Sequence, residues 1–188
     1  MRSVRSVMMA FVLVAVCARG TAAQDSGKVG ITMGYPASVG IIWQASDSIA
    51  IRPELSFTGS STNTSTTTEG LAIEGDGWSL GTGVSALFYL HKYDQLRTYV
   101  SPRFTYAHNH TSTKSSSGTF SSNSTFSSSN VQFAGSFGAE YALSNKFSAF
   151  GEVGFGFGHS WSDVASSTIR PTTNTWGTRT GVGVTFYF

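Results

Sequence analysis

Along most of the chain, apolar residues alternate with small or polar ones at a period of two. From 147 to 161 the odd positions are Phe147, Ala149, Gly151, Val153, Phe155, Phe157, His159 and Trp161. The even positions are Ser148, Phe150, Glu152, Gly154, Gly156, Gly158 and Ser160. The closing stretch repeats this: Trp176, Thr178, Thr180, Val182, Val184, Phe186 and Phe188 share a face opposite Gly177, Arg179, Gly181, Gly183, Thr185 and Tyr187. Such alternation predicts strands with two unlike faces. The same reading upstream predicts eight strands near 28–35, 38–45, 48–59, 76–90, 97–110, 130–142, 147–161 and 175–188. Pro53 weakens the third, since proline cannot donate to a ladder, and the first two are short with Pro36 between them.

The composition of the faces separates the alternatives. A soluble sheet protein gathers its large apolar residues in a core and turns a polar face to water. Here the second face is mostly Gly, Ser and Ala, with isolated charges. Small residues suit a cramped barrel interior, and an apolar exterior suits lipid. The expected fold is all-β, an eight-stranded antiparallel up-and-down transmembrane β-barrel. Aromatic residues reinforce this: Trp78, Tyr106, Trp161 and Trp176 fall near one end of the strands, and Phe88, Tyr99, Phe147 and Phe186 near the other. Mostly outward-facing, they resemble the two aromatic girdles of a bilayer-spanning barrel.

The connections form two classes. Ser46-Asp47, His91 to Gln95 and Ser144-Asn145-Lys146 are short and polar, whereas 60–75, 111–129 and 162–174 are long and rich in Ser, Thr and Asn. Short periplasmic turns and long external loops are the outer-membrane arrangement, and an even strand number puts both termini on the periplasmic side. The low-complexity loops are expected to be mobile and solvated.

Residues 1–23 stand apart. Arg2 and Arg5 precede an apolar run from Val7 to Val16, followed by Gly20-Thr21-Ala22-Ala23. That is a signal peptide with cleavage after Ala23, leaving 24–188 as the barrel domain. The apolar run is about half the ~20 residues of a membrane-spanning helix, and no later segment is long enough. Cys17 follows Val16 rather than a small residue, which argues against lipidation. With the signal removed, nine of the 12 basic residues face 10 acidic ones, so nucleic acid is not an expected partner. The single cysteine leaves too, excluding disulfide and thiol chemistry.

The chain end carries a family resemblance. Gly183, Phe186 and Phe188 resemble the C-terminal assembly signal of bacterial outer-membrane proteins, although Gly181 stands where that signal has a polar residue. With eight strands, the mature chain resembles the small OmpA/OmpX-type barrels along nearly its whole length. The resemblance implies an integral outer-membrane location, contact with outer-membrane lipids and recognition of the last strand by the barrel-assembly machinery. It leaves any extracellular partner unidentified.

Six charges fall on inward positions: Arg52, Glu54, Arg103, Glu140, Glu152 and Arg179. Charges in a narrow lumen are costly unless paired, so they are expected to plug it as ion pairs. The alternative is a narrow, small-solute pore lined by them. His108, His110 and His159 sit outward near the loop ends. A metal site there is weighed against polar residues at the headgroup level, which is the preferred reading. His110 and Ser112 have the spacing used by lipid A deacylases, but the next acidic residue is Glu140 on the inner face. The function expected is a non-enzymatic outer-membrane barrel acting in envelope integrity or surface interaction, without catalytic residues, cofactor or metal.

Overall fold

The computed structural model describes residues 27–35, 38–66, 71–117, 120–164 and 170–188. The proposed signal segment, Cys17 and Pro36 lie outside them. Eight antiparallel strands follow in chain order: β1 (Val29–Tyr35), β2 (Ser38–Ser46), β3 (Ile49–Thr66), β4 (Leu71–Tyr93), β5 (Leu96–Ser117), β6 (Phe120–Ala142), β7 (Phe147–Val164) and β8 (Thr172–Tyr187). Each pairs with its sequence neighbours, and β8 returns to β1 to close the barrel. Closure runs from Gly30↔Tyr187 to Tyr35↔Val182. The Phe188 amide adds one bond, donating to the Val29 carbonyl at 3.1 Å.

The faces follow the sequence alternation. Outward residues include Phe57, Leu80, Phe133, Val153, Phe155, Phe157 and Val182, all exposed. Phe57 at 68 % and Trp176 at 76 % relative exposure are untenable as a soluble core. An exposed apolar surface this continuous marks an interaction with lipid. From Phe186 to Trp176 on β8, about ten residues at ~3.3 Å rise and ~40° tilt climb about 25 Å, the height of an outer-membrane apolar belt.

Prolines 53 and 102 stay within strands at a local cost. Pro53 pairs with Val84 in the β3–β4 ladder, while the β2–β3 register skips from Gly40↔Glu54 to Trp43↔Ile51. Pro102 pairs with Gly135, while the β4–β5 register skips from Ser85↔Arg103 to Phe88↔Val100. Each proline is fully paired on one side and interrupts the other, because it has no N–H to donate.

The turn end is tight. Asp94 carries φ 45° in the two-residue β4–β5 turn, a left-handed conformation that Asp tolerates better than most residues. Between β6 and β7 the Ser144 hydroxyl accepts from the amides of Lys146 (3.3 Å) and Phe147 (3.1 Å). The expected short connections are present at this end.

The opposite end differs from the expectation. Among the described residues of the stretches 60–75, 111–129 and 162–174, those at 60–66, 71–75, 111–117, 120–129, 162–164 and 172–174 are strand rather than mobile loop. The β3–β4 ladder runs to Thr66↔Leu71, the β4–β5 ladder to Leu71↔Ser117, and the β5–β6 ladder to Ser117↔Phe120. Low hydrophobicity does not prevent this, because each strand continues a ladder already nucleated in the membrane. Interleaved Thr favours the extended backbone, and the hydroxyl side chains need no core. Above Trp78↔His110, β4 and β5 continue for about seven residues, a rise of about 15–20 Å at ~3.3 Å per tilted residue.

The wall is uneven in height. β2 last pairs with β3 at Val39↔Leu55, and β1 last pairs with β8 at Tyr35↔Val182. Above the β1–β2 hairpin there is therefore a notch among the described residues. It is flanked by β3 from Ser56 upward and β8 from Gly181 upward.

Candidate functional site

The lumen holds the chemistry, in two tiers. In the middle tier Arg52 of β3 is central and 3 % exposed. Its Nε donates to Glu54 Oε1 at 2.9 Å and its Nη2 to Glu152 Oε1 at 2.5 Å. Arg103 of β5 pairs with the other oxygen of Glu54. The Tyr99 hydroxyl donates to Glu152 Oε1 at 3.0 Å, and Arg52 Nε also reaches Ser85 Oγ at 3.2 Å. The guanidinium of Arg52 lies 4.9 Å from the centroid of the Phe150 ring. Strands β3, β5 and β7 are thus tied across the lumen, not merely along the wall.

Nearer the turn end, Glu140 of β6 is the hub and is also 3 % exposed. It accepts from Ser148 Oγ at 2.6 Å, Tyr187 OH at 2.9 Å, Tyr89 OH at 3.0 Å and Arg97 Nη2 at 3.1 Å. Gln44 Nε2 of β2 donates to the Tyr89 and Tyr187 hydroxyls at 3.1 and 3.3 Å. Residues of β4, β5, β7 and β8 converge on this one carboxylate, and Gln44 of β2 braces two of its donors. A buried carboxylate with this many donors satisfies the requirement that burial places on charge.

The structure places all six sequence-expected charges inside. Five of them make ion pairs, while Arg179 takes no part in the lumen's ion pairs among the described residues. Sequence reasoning missed Arg97, Gln44, Tyr89 and Tyr99 as members of the network. Tyr99 corrects the girdle expectation: it faces inward and is 0 % exposed. The signal was available, because Arg97, Tyr99 and Arg103 share one parity on β5. The lower lumen is also bulkier than the small-residue pattern implied, with Ile42, Leu87, Tyr99 and Tyr187 packed there. Space for the large rings comes from facing glycines. An added Cβ at Gly138 would strike the Tyr99 ring, and one at Gly183 would lie 2.5 Å from Phe150 Cζ.

Voids bracket the network. A cavity of about 290 Å³ lies at the turn end by Lys28, Arg97 and Glu140. Another of about 320 Å³ lies toward the tall end, between Glu54, Arg103 and Arg179. Between Arg52, Phe150 and Arg179 there is a void of about 20 Å³, room for roughly one water.

On the outer face, His108 Nδ1 is 2.8 Å from Ser129 Oγ, and His110 Nδ1 is 2.9 Å from Ser127 Oγ. Trp78 packs on both imidazoles, with ring centroids 5.6 and 5.9 Å away. His159 Nδ1 meets Asn174 Oδ1 at 2.7 Å on the other side of β6. His110 and Ser112 are not joined: Ser112 Oγ reaches Asn123 Oδ1 at 3.5 Å. Glu140 stands at the opposite end of β6 and cannot support that pair.

This fold and lumen define an integral membrane barrel of the bacterial outer-membrane type, OmpA/OmpX-like in architecture. The sequence matches no protein-family model and no curated protein. Among solved structures, the chain is similar to a major outer membrane protein from Thermus thermophilus, at 12 % identity and a TM-score of 0.50, covering 86 % of this chain and 98 % of that one. It also matches CarO2 of Acinetobacter baumannii (12 % identity, TM-score 0.44, covering 86 % and 97 %). A third is the N-terminal β-barrel domain of Pseudomonas aeruginosa OprF (14 % identity, TM-score 0.39, covering 88 % and 100 %). At these identities the likeness is one of fold.

Proposed function

We propose that the protein is a non-enzymatic outer-membrane barrel, sealed by its lumen ion pairs, that acts at the cell surface through the sheet rising from β3 to β6. The observation that carries this reading is the sheet itself. Strands of 18, 23, 22 and 23 residues extend past the apolar belt, where a barrel needing only to span could stop. Above the belt, its β3 edge from Ser60 to Thr66 has no β2 partner among the described residues. An unpaired edge of this length is a template for an extended segment of another protein. The outward surface meets membrane lipid, and Gly183, Phe186 and Phe188 are the groups proposed to present β8 to the assembly machinery.

The test is to shorten the sheet by deleting paired residues above Trp78↔His110. Cells bearing the shortened barrel should lose adhesion to surfaces or proteins that the full chain binds, while the barrel still inserts. Unchanged adhesion would contradict the role given to the sheet. A second reading, a small-solute channel, draws on the cavities of about 290 and 320 Å³ at the two ends. Planar-bilayer recording separates the two: the sealed reading expects a silent membrane, and discrete reproducible steps would favour the channel. Lipid A mass should be unchanged on expression; a loss of acyl mass would contradict the non-enzymatic reading.

A further inference from the structure

The middle tier is unbalanced. Arg52, Arg103 and Arg179 bring three guanidiniums to it, while Glu54 and Glu152 bring two carboxylates. Arg52 engages both carboxylates, and Arg103 takes the remaining oxygen of Glu54. Among the described residues Arg179 is left without a carboxylate, and Glu152 Oε2 would lie 3.9 Å from a Cβ added at Gly181. The Nε atoms of Arg103 and Arg179 are both buried and bond to no protein group among the described residues. A guanidinium does not escape this by losing its proton, so the positive charge persists in the lumen. Both arginine side chains are partly exposed toward the tall end, where an anion would complete their pairing.

The same two arginines line the cavity of about 320 Å³ at the tall end. Asn130, Gln132 and Ser56 contribute neutral donors to its wall. Arg179 stands on β8 just above its last pairing with β1, and Ser56 on β3 just above the last pairing with β2, so both border the notch. The cavity lies on the external side of the ion pairs, toward the tall end of the lumen. Its volume is near the lower end of the ~300–1,000 Å³ range of small-molecule sites.

We propose that this vestibule binds a small oxyanion of the phosphate class between Arg103 and Arg179. Arginine forks match the oxygens of phosphate in paired hydrogen bonds, and the neutral amides and hydroxyl complete the shell. The anion supplies the negative charge that the middle tier lacks. The phosphate group arrives either free in solution or on a lipid headgroup at the tall rim. The enclosed position inside the wall favours the soluble form.

The experiment uses the full barrel refolded in octyl glucoside, a detergent without phosphate. Inorganic phosphate is titrated calorimetrically at constant ionic strength held with chloride. Saturable one-to-one binding is expected, with an upward shift in unfolding temperature. Arg179→Gln should weaken binding by at least about tenfold, and Arg179→Lys by less, since charge remains but the fork is lost. Without phosphate, Arg179→Gln should unfold no more readily than the parent, because it removes an unpaired charge; that separates lost binding from lost folding. A parallel titration with short-chain phosphatidylglycerol tests the lipid source. Absence of saturable phosphate binding, binding of the headgroup alone, or undiminished binding by Arg179→Gln would each overturn the proposal.

Discussion

Arg52 and Glu152 lie 100 positions apart in the chain, and their side chains meet across the lumen at 2.5 Å. The contact joins β3 to β7, strands that share no ladder. It therefore braces the barrel through its interior, where the wall hydrogen bonds alone cannot act. Arg52→Met should lower stability by about 3–5 kcal/mol, because it leaves both Glu54 and Glu152 as buried carboxylates with fewer partners. Urea unfolding in lipid vesicles, followed by tryptophan fluorescence, measures the change. A shift well below this would make the pair incidental.

Gly138 faces the ring of Tyr99, and a methyl group there would collide with it. Gly138→Ala should cost about 1–3 kcal/mol by overpacking. Combining it with Tyr99→Leu should recover part of that loss, since the smaller side chain vacates the contested space. Simple addition of the two single effects would show that the collision is not the cause.

The lipid-facing belt predicts a depth-dependent penalty. Phe155→Arg, on the exposed belt of β7, should destabilise the inserted barrel by about 2–4 kcal/mol. Phe120→Arg, at the tip of β6 beyond the belt, should change stability by less than about 0.5 kcal/mol. Equal effects at the two positions would contradict the assignment of membrane and external zones.

The Glu140 hub makes a further prediction. Glu140→Gln removes the charge that Arg97, Tyr89, Tyr187 and Ser148 surround. A loss of about 2–4 kcal/mol is expected from the unpaired donors and the orphaned guanidinium. Denaturant unfolding of the purified barrel reads it directly. Replacing Gln44 instead should cost less, because it is neutral, its Nε2 meets only two hydroxyls and its Oε1 has no partner among the described residues.

How much of this is legible in the sequence depends on the distance over which each feature is decided. The two faces of β7 and β8 are local properties, and period two alone assigns Glu152 and Arg179 to the inner face. Strand number and the short turns follow from the same pattern. The upper strands do not, because Ser and Thr in 111–129 carry no apolar alternation. Their extension is dictated by the neighbouring strand, as Ser112↔Thr125 and Thr113↔Ser124 illustrate. Likewise the partner of each lumen charge depends on which strands face one another across the barrel. Alternation places Tyr99 inside; only closure of the ring brings it to Glu152.

The central claim is that the chain closes into a lipid-inserted barrel braced from within. The purified protein, refolded into lipid or detergent, should run on a denaturing gel at a different mobility unboiled than boiled, because the closed barrel resists detergent unfolding until heated. Identical migration of the two samples, with the refolded protein remaining in solution rather than floating with vesicles, would contradict the account.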